Sequence, residues 1–162
     1  MNLPSYFHLN SALPSKLYTM KREDTICYNI KTSWHAISRM YNSLGNPYDV
    51  STSVGFVLLN IDPEIGTPAT KIAPKMGLES RSLTRILKAL EERKWIYRKP
   101  DEEDRRMVRI MLTDIGLEKR DLSKKAVKDF NNHLQNIIPD NKLETFYEVI
   151  DEINHFLEDY KV

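Results

Sequence analysis

The stretch Gly77-Leu78-Glu79-Ser80-Arg81-Ser82-Leu83-Thr84-Arg85-Ile86-Leu87-Lys88-Ala89-Leu90, followed after four intervening residues by Trp95 to Leu112, decides the architecture. At 100° per residue, Leu83, Ile86, Leu87 and Leu90 share one narrow arc while Arg81, Arg85 and Lys88 take the opposite one, so the segment reads as an amphipathic helix. Gly77 breaks the chain before it, and Glu79-Ser80 supply its cap. The next segment changes period. Trp95-Ile96-Tyr97-Arg98-Lys99 and Met107-Val108-Arg109-Ile110-Met111-Leu112 are β-prone runs joined by the polar connection Pro100 to Arg106. Val108, Ile110 and Leu112 alternate with Arg109 and Met111, the pattern of a strand with one buried face, which predicts a β-hairpin with a charged tip.

Upstream, Thr67-Pro68 reads as the N-cap and first position of a short helix running to Met76. Two helices joined by a glycine turn, the second apolar inside and basic outside, fit a helix-turn-helix, and the hairpin then fits a wing. Before them a helix carrying Val54, Val57, Leu58 and Ile61 follows the capping residues Asp49 to Ser53 and stops at Asp62-Pro63 and Gly66. Earlier still, Ile26, Ile30, Trp34, Ile37, Tyr41 and Leu44 recur at spacings of three and four, and Gly45-Asn46-Pro47 ends that first long helix. Residues 1–24 form an extension without a clear period. Beyond the wing, Thr113-Asp114 caps a helix to about Ile138, and Leu143, Phe146, Ile150, Ile153, Leu157 and Tyr160 mark the seam of a last one. The expected fold class is therefore mainly α with a small β-hairpin wing: a single domain over 1–162, a winged helix-turn-helix lobe over 50–112 of the kind that binds DNA, and helical segments over 25–45 and 114–162 whose apolar seams want a helical partner, the candidate dimerisation helices.

Charge supports that placement. Between Pro68 and Thr113 there are 12 basic and seven acidic residues, a local excess of five on a chain whose net charge is only +1. A basic middle between acidic ends suits an element that meets a polyanion on a soluble scaffold. The near-neutral total argues against a general architectural DNA binder, which relies on summed phosphate contacts. A lone cysteine, Cys27, and the lack of a secretory or membrane-spanning segment point to the cytoplasm and away from a membrane partner. His8, His35, His133 and His155 are scattered, with no metal-binding spacing and no phosphate loop, so neither an enzyme nor a cofactor or metal is expected. A winged helix used only as a protein-interaction module, without DNA binding, is the competing reading; the basic outer face of Arg81, Arg85 and Lys88 weighs against it.

In order along the chain, Ile72-Ala73, Met76-Gly77-Leu78, Ser82-Leu83-Thr84, Leu87, Leu90 and Glu91, Asp104-Arg105-Arg106, Leu112-Thr113 and Gly116 resemble the MarR (multiple antibiotic resistance regulator) family of bacterial winged helix-turn-helix transcription regulators. Pro74 departs from the family's pattern. The resemblance implies a homodimer on a pseudo-palindromic double-stranded operator, commonly a repressor released by a small molecule or an oxidant. It implies that Arg81 and Arg85 reach guanine edges or phosphates, with Ser80, Ser82 and Thr84 at shorter range and Lys88 on the backbone. At the wing, Arg106, beside Arg105, corresponds to a minor-groove arginine, and Asp104 to the acid that holds the wing arginine. Trp34, His35, Tyr41 and Phe56 are candidates for an effector cleft, or else core. Glu23 to Cys27, with Tyr41 fourteen residues on, resembles the first helix of the organic-hydroperoxide-responsive branch. Lys31, Ser51 and Thr52 stand where that branch has tyrosine support, so Cys27 and Tyr41 are a candidate redox or ligand site, with an inert thiol at a helix interface as the alternative.

Overall fold

A computed structural model describes residues 21–77, 79–101 and 104–159. Most of the N-terminal extension, and Tyr160 of the last seam, lie outside them. A 3₁₀ turn at Arg22–Asp24 leads into α1 (Ile26–Gly45), and a second at Asn46–Tyr48 turns the chain toward α2 (Thr52–Leu59). Then come β1 (Thr67–Pro68), α3 (Ala69–Lys75), α4 (Ser80–Glu92), β2 (Ile96–Pro100), β3 (Val108–Leu112), α5 (Asp114–Ile137) and α6 (Asp140–Asp159).

The caps follow from the side chains available. Ser51 Oγ accepts the N–H of Val54 (3.3 Å) at the start of α2. Thr113 Oγ1 accepts from the Gly116 N–H (3.1 Å) at the start of α5, while its own hydroxyl donates to the Lys94 carbonyl (2.7 Å). These are the capping interactions expected of Ser and Thr, which satisfy amides that the first helical turn leaves open. Thr52 ties α2 back to α1: its hydroxyl donates to the Ser38 carbonyl (2.9 Å) and its amide to Asn42 Oδ1 (2.8 Å).

The sheet corrects one expectation. Thr67-Pro68 is not the start of α3 but a two-residue strand, antiparallel to β3 with Thr67 opposite Ile110, giving the order β1-β3-β2. Pro68 has ψ 130°, extended rather than helical, and serves as the N-cap residue of α3. Thr67 Oγ1 instead accepts the Asp62 N–H (2.9 Å), and no side chain caps α3. Proline is tolerated in so short an edge strand because the missing N–H can face away from the ladder.

Contacts divide the chain into two compact units, Ile37–Asn131 and the flanking segments up to Ala36 and from Asn132. The divisions fall inside α1 and α5, not at the loops near 45 and 114, because the inner ends of both helices carry Tyr41 and Phe130 into the first unit. The core of that unit comprises Val50, Val57, Leu58, Ile61, Ile72, Ala73, Leu83, Leu87, Leu90, Trp95, Ile96, Ile110 and Leu112. On β3 the buried face is Ile110 and Leu112; Val108 is exposed because the strand has left the core there for the wing. In the second unit α1 and α6 keep large apolar side chains in the open, Ile26, Ile30 and Trp34 on one, Phe146, Phe156 and Leu157 on the other.

Candidate nucleic-acid interface

The turn into α4 needs a residue at positive φ, and Gly77 supplies it at +59° with open space where a Cβ would stand. The carbonyl of Glu79 then takes the N–H groups of Ser82 and Leu83 (3.0 and 3.2 Å), starting the helix without a side-chain cap. Leu83, Leu87 and Leu90 are buried and Ile86 packs against the same core. Hydrophobic anchoring on that side leaves the opposite side to solvent. Ser80, Arg81, Ser82, Thr84, Arg85 and Lys88 are all exposed. Arg81 and Arg85 are one helical turn apart and so share one face of the helix. Two polar groups of this face have partners. Thr84 donates its hydroxyl to the Ser80 carbonyl (2.8 Å), which leaves its oxygen able only to accept, and Lys88 sits 3.9 Å from Glu92 one turn on. An exposed pair at that distance is worth little, and Lys88 is free to exchange it for a phosphate.

Behind α4, the Arg98 Nε donates to Glu91 Oε2 (2.9 Å), which binds the first wing strand to the end of the helix. β2 and β3 pair from Ile96 opposite Leu112 to Pro100 opposite Val108. The tip is closed by hydrogen bonds from the Asp101 N–H to the Met107 carbonyl (3.0 Å) and from the Met107 N–H to the Asp104 carbonyl (2.8 Å). Arg105 and Arg106 stand exposed on this tip. Asp104 does hold Arg106, but through the backbone: its Oδ1 accepts the Arg106 N–H at 3.0 Å. Among the described residues, the buried guanidinium–carboxylate pair of the wing is formed by two others. Arg109 Nε donates to Asp101 Oδ2 at 2.5 Å, and the Asp101 side chain is only 3% exposed.

Sequence reasoning placed Asp101 in a solvated charged tip and gave Arg109 no role. Pairing the two strands would have found them. With Lys99 opposite Arg109 and Pro100 opposite Val108, Asp101 and Arg109 are diagonal neighbours across the hairpin, within reach of each other.

Cys27 is exposed, in the first turn of α1. Tyr41 lies fourteen residues further along the same helix, about 21 Å at 1.5 Å per residue, so the two do not meet within one chain. Tyr41 is half-buried, edge-on to Phe56 (6.3 Å between centroids) and Phe130 (5.8 Å). Burial pushes its phenol above the ordinary tyrosine range. Of the aromatic residues considered for a cleft, Tyr41 and Phe56 are thus brought together, in company with Phe130. Trp34 and His35 are exposed on α1.

With this geometry in view, comparison with known proteins is specific. The model of the MarR family matches residues 52–108, from α2 through the first residue of β3. The HTH-type transcriptional regulator SarZ of Staphylococcus aureus is 30% identical over 107 residues, covering 65% of this chain and 72% of SarZ. The chain belongs to the MarR family. A second MarR-like relative, the HTH-type transcriptional regulator TtmR of Methylorubrum extorquens, is 33% identical over 94 residues, 58% of this chain; the match spans 48% of TtmR, about half its length. Among solved structures, a MepR–DNA complex from S. aureus superposes with a TM-score of 0.74 over 81% of this chain and 97% of that one, at 19% identity. At that identity the likeness concerns the MarR fold: a three-strand sheet and a helix-turn-helix carried between long helices.

Proposed function

We propose that the protein is a sequence-specific double-stranded DNA-binding transcription regulator that acts as a homodimer in the cytoplasm, with α4 in the major groove and the wing over the adjacent minor groove. The observation that carries this reading is the division of α4: three leucines buried in the lobe core and an unbroken outer row of Ser80, Arg81, Ser82, Thr84, Arg85 and Lys88 in solvent. Short hydroxyls interleaved with guanidinium groups are the set that reads base edges while holding phosphates. Arg105 and Arg106 on the wing tip are suited to a narrow minor groove, where the negative potential is deepest.

The same reading makes the protein a repressor released by a small molecule or an oxidant. Exposure of the Cys27 thiol supports access by an oxidant; titrating the DNA complex with an organic hydroperoxide, with Cys27→Ser in parallel, separates the two triggers. Release from wild type alone assigns the oxidant.

The deciding experiment is selection of duplexes from a random-sequence pool by the purified protein. A pseudo-palindromic motif, lost on Arg81→Ala/Arg85→Ala, is the expected outcome. Recovery of no common motif overturns the assignment.

A further inference from the structure

We propose that Arg109 and Asp101 are positioning residues for DNA recognition: together they lock the wing tip in the pose from which Arg106 is presented, a role that rests on reading the wing as a DNA-contacting element. Asp101 is buried to 3% exposure and Arg109 to 27%. Burying a carboxylate costs heavily in solvation, and apolar residues of the same volume often hold a fold as well or better, so such a pair is better understood through the geometry it imposes than through the stability it adds.

That geometry is a continuous chain of hydrogen bonds. It begins at the turn after α2, where Asp62 Oδ1 accepts the N–H groups of Glu64 (2.9 Å) and Ile65 (3.0 Å) and its carbonyl takes the Gly66 N–H (3.1 Å). Arg109 Nη1 donates to the carbonyls of Ile65 (3.0 Å) and Gly66 (3.1 Å) in that turn. Its Nε donates to Asp101 Oδ2 (2.5 Å). The other oxygen of Asp101 accepts the Asp104 N–H (3.1 Å), and Asp104 Oδ1 accepts the Arg106 N–H (3.0 Å). The guanidinium therefore fastens the wing tip to a turn more than forty residues earlier in the chain. The planar fork of arginine donates from two separated nitrogens in fixed directions, Nε to Asp101 and Nη1 to the turn; a lysine ammonium keeps the charge but gathers its donors on one rotating nitrogen and loses that geometry. A tip ordered before it meets DNA loses less conformational freedom on binding, so the pair acts on affinity through Arg106.

The test measures binding to the duplex that wild type selects from a random-sequence pool, for R106A, D101L/R109M, the triple variant D101L/R109M/R106A, and R109K. The apolar pair keeps the fold, checked by thermal melting and sedimentation. Expected are a loss of roughly tenfold in affinity for D101L/R109M, little further loss when it is combined with R106A, and R109K behaving like the apolar pair despite its charge. Hydrogen exchange at the amides of Asp104 and Arg106 should quicken in step. Where D101L/R109M fails to fold, D101N in the same cycle with R106A decides. Wild-type affinity in the folded pair variant, or losses that simply multiply in the R106A background, overturns the positioning role while leaving the wing reading intact. Wild-type affinity in R106A removes the wing reading and this proposal together.

Discussion

Gly116 has no room for a methyl group. A Cβ there would stand 1.9 Å from the Trp95 carbonyl oxygen and 3.0 Å from its carbon, atoms of a backbone that also takes the Thr113 N–H (3.0 Å). The first turn of α5 can lie against the end of α4 and the start of β2 only because residue 116 lacks a side chain. Gly116→Ala should cost about 1–3 kcal/mol, the usual range for overpacking, read as a lower urea midpoint; an unchanged midpoint would mean the close approach does not exist in solution. Asp62 makes a different demand. Its carboxylate lies below the ordinary aspartate range, first because it accepts the Ile65 N–H, then the Glu64 N–H; desolvation opposes them, and Arg120 and Arg109 add positive potential. A depressed folded-state value means that the stabilising contribution is complete above the ordinary value of about 4 and disappears as pH falls through the lower folded value. Thermal melting of wild type and Asp62→Ala should therefore differ at pH 7 and begin to converge as the pH falls below about 4; a difference that persists unchanged in acid would assign the effect to packing alone.

The two polar faces of α4 and the wing divide the work of recognition in a way that salt can separate. Lys88, loosely paired with Glu92 and furthest along the helix of the six outward residues, is the one that the proposed reading assigns to the phosphate backbone. Lys88→Ala should lower affinity evenly across sequences and reduce the log–log salt slope by about one. Arg81→Ala or Arg85→Ala should instead relax preference at particular base pairs, costing about 1–3 kcal/mol each. A Lys88 variant with an unchanged slope would move that residue off the backbone. These elements were legible in the sequence because each rests on a repeated signal: leucines at helical spacing in α4 and alternation in β3. What was not legible lacked repetition. A two-residue strand shows no alternation, and Thr67-Pro68 looks the same whether it begins a helix or pairs with Ile110. Asp101 sits in a run of four acidic residues whose composition suggests solvent, and its burial depends on an arginine that only the strand register brings near. Asp104 was tied to the right residue, Arg106, though by its N–H rather than its guanidinium.

Apolar side chains at Ile26, Ile30 and Trp34, spaced four apart on α1, and at Phe146, Phe156 and Leu157 on α6 remain exposed, and large apolar side chains grouped on exposed faces mark interaction surfaces. A second copy of the chain is the partner that the proposed function requires, since one lobe of this size reaches only a half-site. Two lobes joined by a helical dimer should then prefer half-sites centred about 10 bp apart, one turn of DNA. Two changes test this from opposite sides. Ile30→Asp/Leu157→Asp places charges on the exposed faces without touching the lobe core at Ile37–Asn131, so circular dichroism should change little while sedimentation falls to the monomer mass. Losing the tether should weaken binding to the palindromic duplex by about 10²–10⁴, down to the affinity for an isolated half-site. Inserting five base pairs between half-sites, about half a helical turn, should penalise wild type in the same way and leave the monomeric variant unaffected, because only a rigid dimer senses the relative rotation of its two sites. A variant that stays dimeric, or a monomer that binds the full site as tightly as wild type, would separate these apolar faces from DNA binding altogether.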